Sequence, residues 1–122
     1  MALFTITTES YVNQPPSQVG DGSATTQYST TYTFTVDDFT TLTVPQYADP
    51  EGDTAANLRV TSLPSTGELQ YNSIPVTLNQ VISFTDISNG LFTYVPDNST
   101  TTQYVDTFNF EIADSGSGQF VG

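Results

Sequence analysis

Asp49, Glu51 and Asp53 place three carboxylates at alternate positions of one short stretch, Asp49-Pro50-Glu51-Gly52-Asp53. Pro50 and Gly52 force that stretch into a loop. Clustered hard oxygen ligands suit Ca²⁺, so these three residues are a candidate calcium site. Asp37, Asp38, Asp86 or Asp114 could join it once the chain folds. A plainer use of the same residues is that Asp49 and Asp53 cap the turn by accepting hydrogen bonds from nearby backbone N–H groups. The loop lacks the ligand spacing of an EF-hand.

Little other chemistry is on offer, and no catalytic residue is assigned. The chain has no His, no Cys and a single basic side chain, Arg59, against thirteen acidic ones. Ser and Thr therefore have no imidazole to activate them, and acid–base work is left to carboxylates and tyrosines. A glycosidase needs only two carboxylates, but no motif here sets two acids on opposed strands around a cleft. No glycine-rich phosphate loop is present.

A net charge of −12 repels phosphate backbones and anionic lipid alike, so nucleic acid and membrane surfaces are poor partners. Protein partners remain, copies of the chain included. Without Cys there are no disulfide staples and no thiolate zinc. No run of residues reaches the length of an apolar membrane span. The first residues, Met1-Ala2-Leu3-Phe4-Thr5, lack the basic and apolar regions of a secretory signal. The Asn98-Ser99-Thr100 sequon would act only in a secretory pathway.

The elements that would position these residues read as strands. At 122 residues the chain has material for one core. Leu3 to Thr8 alternates and predicts an N-terminal strand. Tyr11 to Gly22, with Pro15-Pro16 and Gly20-Asp21-Gly22, predicts a linker. The division is therefore residues 1–22 as a strand-bearing arm and residues 23–122 as the main domain.

Within that domain Ser29–Val36 turns Tyr32, Phe34 and Val36 to one face. Leu42–Val44 is a short apolar segment, and Asn57–Ser62 points Leu58 and Val60 inward and Arg59 outward. Glu68–Tyr71 and Ile74–Leu78 form a hairpin over Asn72-Ser73. Val81–Phe84, Leu91–Val95 and Thr107–Ala113 complete the set, with Phe108, Phe110 and Ile112 on one face. No long window has helical period; single turns are expected at Asp37-Asp38-Phe39 and Thr85–Ser88. The fold class is all-β, an antiparallel two-sheet sandwich. Most aromatics fall in its core, while Tyr11, Tyr28, Tyr47 and Tyr104 lie nearer loops and are surface-contact candidates.

A family pattern lies over this reading. The runs Asp49-Pro-Glu-Gly-Asp-Thr54, Leu58-Arg-Val-Thr-Ser-Leu-Pro-Ser-Thr-Gly-Glu-Leu69, Val76-Thr-Leu-Asn-Gln-Val-Ile82, Thr85-Asp-Ile-Ser-Asn-Gly-Leu-Phe-Thr-Tyr-Val-Pro96 and Phe108-Asn-Phe-Glu-Ile-Ala-Asp114 resemble the cadherin-like, Ig-like repeat of large bacterial adhesins and bacteriophage virion proteins. The resemblance covers roughly residues 30 to 118. It implies a non-enzymatic β-sandwich used for adhesion, spacing or decoration, at a virion surface or outside the cell.

Adhesin members stand in tandem arrays, whereas this copy stands alone with its own arm. That suits a phage-type virion protein (capsid decoration, neck or tail surface). A bacterial adhesin module or a strand-exchanged filament subunit is the alternative. The final strand reads as truncated after Asp114, which would leave an open edge. Leu3, Phe4 and Ile6 are then candidate assembly contacts, adding a strand to a neighbouring copy or to a host assembly. Alternatively the arm folds back as the first strand of its own sheet.

Overall fold

The computed structural model describes residues 1–8, 12–99 and 101–122. Among the described residues, eight strands form two antiparallel sheets. In chain order they are β1 (Tyr32–Thr33), β2 (Ala55–Ser62), β3 (Glu68–Tyr71), β4 (Ile74–Pro75), β5 (Val81–Ser83), β6 (Phe92–Val95), β7 (Asn109–Asp114) and β8 (Phe120–Val121). One sheet has the order β1-β6-β3-β4 and the other β5-β2-β7-β8. The all-β, two-sheet expectation holds.

Alternation explains the core. Leu58 and Val60 of β2 are fully buried, as are Ile82, Phe92 and Ile112, and the intervening Arg59 stays half-exposed. Side chains of both sheets meet in one cluster with Phe34, Phe39, Leu69, Phe84 and Ile87. Phe34 and Phe92 stack with ring centroids 4.6 Å apart, and Phe39 meets Phe110 edge-on at 5.1 Å. These aromatics give a chain poor in aliphatics its large apolar contact area.

The hairpin of β3 and β4 turns over Asn72 and Ser73, both at positive φ (52° and 65°), as the twist-matched two-residue turn requires. Both expected helical turns form: Val36–Phe39 as a 3-10 turn and Phe84–Ser88 as a short helix, α1. The first cuts β1 short, because Asp38 bonds back to the Thr35 N–H at 2.9 Å and the backbone leaves the sheet. Ser83 caps the second by accepting from the Asp86 N–H.

Four expectations are corrected. The Leu3–Thr8 segment forms no strand, and Leu3, Phe4 and Ile6 are 90, 86 and 79% exposed. An isolated alternating segment has no partner for its backbone N–H and C=O groups, so alternation alone does not make it a strand. The chain does not end in an open edge after Asp114: residues 115–118 turn it back, and β8 pairs with β7 through Ile112–Val121 and Ala113–Phe120. Two residues flanked by Gly were too short a signal to read.

The Leu42–Val44 segment forms no strand beyond one isolated bridge, with Leu42 and Val44 exposed and Thr43 buried. Val44 forms a bridge with Asp21, and that register turns Thr43 inward, where its hydroxyl donates to the Thr40 carbonyl. The stretch read as a linker is also fastened to the domain. Gln18 bridges Ala48, Asp21 bridges Val44, and Pro16 and Gly20 are buried. Only residues 1–8 of the described arm stand clear of it.

Candidate functional site

At one end of the second sheet, the loop before β2 meets the end of β7. Pro50 and Gly52 shape that loop; Gly52 takes φ +75°, a conformation costly for a side chain with a Cβ. Asp49 Oδ1 holds it closed by accepting from the Glu51 and Asp53 N–H groups at 2.9 and 3.1 Å. The turn-capping use expected of Asp49 is therefore real. It occupies only one of the two oxygens.

Sheet pairing adds the fourth acid. Ala55 of β2 lies opposite Asp114 of β7, and Ser115 N–H donates to the Thr54 carbonyl. This brings one carboxylate oxygen from each of Asp49, Glu51, Asp53 and Asp114 within 4.8 Å of the others. Asp114 is 2% exposed. Its Oδ1 accepts from both the backbone N–H and the hydroxyl of Ser117, each at 2.7 Å. Burial pushes its carboxyl up, but hydrogen bonds with Ser117, with the Asp49 side chain and with the Gly116 backbone outweigh that and hold it below the usual carboxylate range. Its Oδ2 and Asp49 Oδ2 are both buried, and the two carboxyl groups meet.

Two of these acids also hold the start of the domain. Asn13 Nδ2 donates to Asp53 Oδ2 at 2.7 Å, and the Gln14 N–H donates to Glu51 Oε1 at 2.9 Å. The Asn13 side chain lies against Gly116, where any Cβ would collide with it. Asp53 thus bonds Asn13 instead of capping its own turn.

Asp38 and Asp86 are engaged elsewhere, by a rule the sequence hides. With no Lys or His and one Arg, tyrosine hydroxyls serve as the donors. Tyr32 donates to Asp38 at 2.8 Å, Tyr71 to Asp86, and Tyr94 to Asp106 at 2.7 Å. Burial and the Asp38 carboxylate push the Tyr32 hydroxyl up to about 12. The bond to Asp86 raises Tyr71, and burial with Tyr104 and Asp106 raises Tyr94.

Asp106 was not singled out from the sequence. It accepts from the Ser65, Thr66 and Gly67 N–H groups at 3.1, 3.3 and 2.8 Å, and so holds the Pro64–Gly67 turn from across the domain. Burial pushes its carboxyl up, and these three donors together with Tyr94 more than reverse that.

The tyrosines expected at the surface divide. Tyr28 stays exposed. Tyr47 packs against the core with its hydroxyl on the Asp53 carbonyl, and Tyr104 accepts from the Asp97 N–H. Tyr11 and Thr100, and with Thr100 the full sequon, lie outside the described residues. Leu3, Phe4 and Ile6 are exposed but far in sequence from the acidic cluster; no described residue pairs with them as a strand.

No protein-family model, curated protein or solved structure matches this chain.

Proposed function

We propose that this chain is a non-enzymatic structural module of a larger protein assembly, an Ig-like or cadherin-like β-sandwich that attaches through its N-terminal segment. The observation that carries the reading is the state of residues 1–8. Leu3, Phe4 and Ile6 are 90, 86 and 79% exposed within four residues of one segment, whereas the exposed apolar residues of the domain, such as Leu63, Ile74 and Val105, are scattered along the chain. Large exposed apolar side chains grouped in one segment mark a contact surface. This segment also holds no carboxylate in a chain of net charge −12, so it can approach a partner without the repulsion the domain would meet. Alternating side chains suit addition to a sheet edge, where main-chain bonds give affinity and alternate side chains give specificity.

The virion reading, as a capsid decoration, neck or tail-surface protein, rests on the resemblance. The adhesin reading predicts tandem copies in one long reading frame, and virion genes beside this one would argue against it. Deleting residues 2–8 tests the proposal. The domain is expected to keep its melting temperature while incorporation into the assembly is lost. Unchanged incorporation, or an unfolded domain, would overturn it.

A further inference from the structure

We infer that the partner of Leu3–Thr8 is a second copy of this chain, and that the segment adds as a strand to the free edge of β5 in that copy. The inference rests on the proposed attachment role of residues 1–8 and names its partner and its receiving edge.

Backbone geometry selects the edge. β4 is the last strand on one side of its sheet and β5 the last of the other sheet, and residues 76–80 cross between them. Both edges therefore lie on one side of the sandwich. On β4 the Val76 N–H donates to the Leu69 carbonyl, so the preceding pair, Gln70–Pro75, turns the Pro75 backbone outward. Proline has no N–H to offer there, and that edge is blunted. On β5 the case is opposite. The Val60 N–H donates to the Gln80 carbonyl, so at the next pair, Arg59–Val81, the Val81 N–H and C=O point away from β2. No described strand pairs with that side of β5.

The side chains on this side suit the segment. Ile74, Leu78 and Val81 fall within eight residues of one another and are all exposed. Beside β5, the register that buries the most apolar surface puts Phe4 and Ile6 on the face of the buried Ile82, at the open side of the sandwich where the crossing carries Leu78. Leu3, Thr5 and Thr7 then share the face of Val81.

Charge selects the partner. Two copies at −12 each repel over most of their surfaces. No charged residue stands between Glu68 and Asp86, and residues 1–8 hold no carboxylate, so these two stretches can meet without that repulsion. β1 instead runs into Asp37 and Asp38, and β8 pairs with the strand that carries Glu111 and Asp114. A basic partner would be drawn to the acids of the domain, and the segment that stands clear carries none. Every copy holds both donor segment and receiving edge, so the addition is head-to-tail and closes as a ring or runs on as a filament.

The chain has no cysteine, so disulfide pairing gives a clean test. Full-length chains carrying Val81→Cys are mixed with chains carrying Leu3→Cys, Phe4→Cys, Thr5→Cys, Ile6→Cys or Thr7→Cys and oxidised. The expected result is mixed dimers, several-fold more abundant for the best of Leu3→Cys, Thr5→Cys and Thr7→Cys than for Phe4→Cys or Ile6→Cys, since only side chains on one face come within disulfide reach. In sedimentation the wild type should grow in size with concentration. Val81→Pro, which removes only an outward N–H, should leave a monomer of unchanged melting temperature, with Val81→Lys in its place should proline unfold the strand. Equal yields at all five positions, a wild type monomeric at every concentration, or association untouched by either Val81 variant would each overturn the inference. So would a chain bearing both Thr5→Cys and Val81→Cys that closes on itself as a dilute monomer. A monomeric chain that loses incorporation when residues 2–8 are deleted sinks only this inference. Self-association through β5, with incorporation unaffected by that deletion, sinks only the attachment role.

Discussion

Asp49, in the loop before β2, and Asp114, the last residue of β7, lie far apart in sequence, yet each spends one carboxylate oxygen on its own turn and buries the other beside its counterpart. Asp49 Oδ1 closes the loop before β2, and Asp114 Oδ1 closes the turn after β7.

That relationship predicts a calcium-dependent melting temperature. A ligand bound only by the folded state stabilises it by mass action, about 2.7 kcal/mol at one hundred times Kd. Calcium should raise the melting temperature well beyond magnesium at matched ionic strength, as read by calorimetry. Equal shifts with both ions would signify screening of the −12 charge instead.

Asp106 should matter more than its place in a loop suggests. Asp106→Asn removes the charge that three backbone donors and Tyr94 share. It should cost about 1–2 kcal/mol at neutral pH, the scale of bonds to a charged group reduced by partial solvent screening. Because the folded pKa is depressed, the wild-type contribution is present above the unfolded value near about 4 and is lost as pH falls through the folded one. Denaturation curves of wild type and variant should therefore converge in acid. A constant gap down to the lowest pH would contradict this.

Arg59 acts as a clamp on β8. Its guanidinium bonds Glu111 at 2.7 Å and covers the Phe120 ring at 4.4 Å from the centroid. Arg59→Met, which keeps a long apolar stem, should cost under about 1 kcal/mol, since partly exposed ion pairs are weak. Arg59→Ala should cost more and speed hydrogen exchange at Phe120 and Val121, because it uncovers the ring. Equal effects of the two substitutions would show that charge, and not cover, is what counts.

Phe92 is the anchor between the layers: fully buried, stacked on Phe34 and in ring contact with Phe39 and Phe108. Phe92→Ala should destabilise by about 3–5 kcal/mol, transfer and cavity terms together, as measured by urea denaturation. A loss below about 1 kcal/mol would mean that the core collapses to fill the gap.

What was legible in the sequence was local. The alternation around Leu58 and Val60, the Asn72-Ser73 turn and both helical turns are set by neighbouring residues, so one strand of text carries them. The acidic loop was legible as a cluster, but the choice of Asp114 over Asp37, Asp38 or Asp86 was not. That choice depends on β2–β7 register and on tyrosine donors drawing Asp38 and Asp86 away. Asp106 was silent for the same reason, since its donors lie some forty positions away. Leu3–Thr8 shows the converse: a sound strand pattern forms no strand until something pairs with it.

The central claim, that residues 3–8 are the attachment element, is tested most directly by hydrogen exchange of those amides in the purified chain and in its native assembly. Free in solution at low concentration, they should exchange at the rate of an unstructured peptide. In the assembly, alternate amides should become protected as the segment enters a sheet. Protection in the isolated monomer, or none in the assembly, would contradict the account.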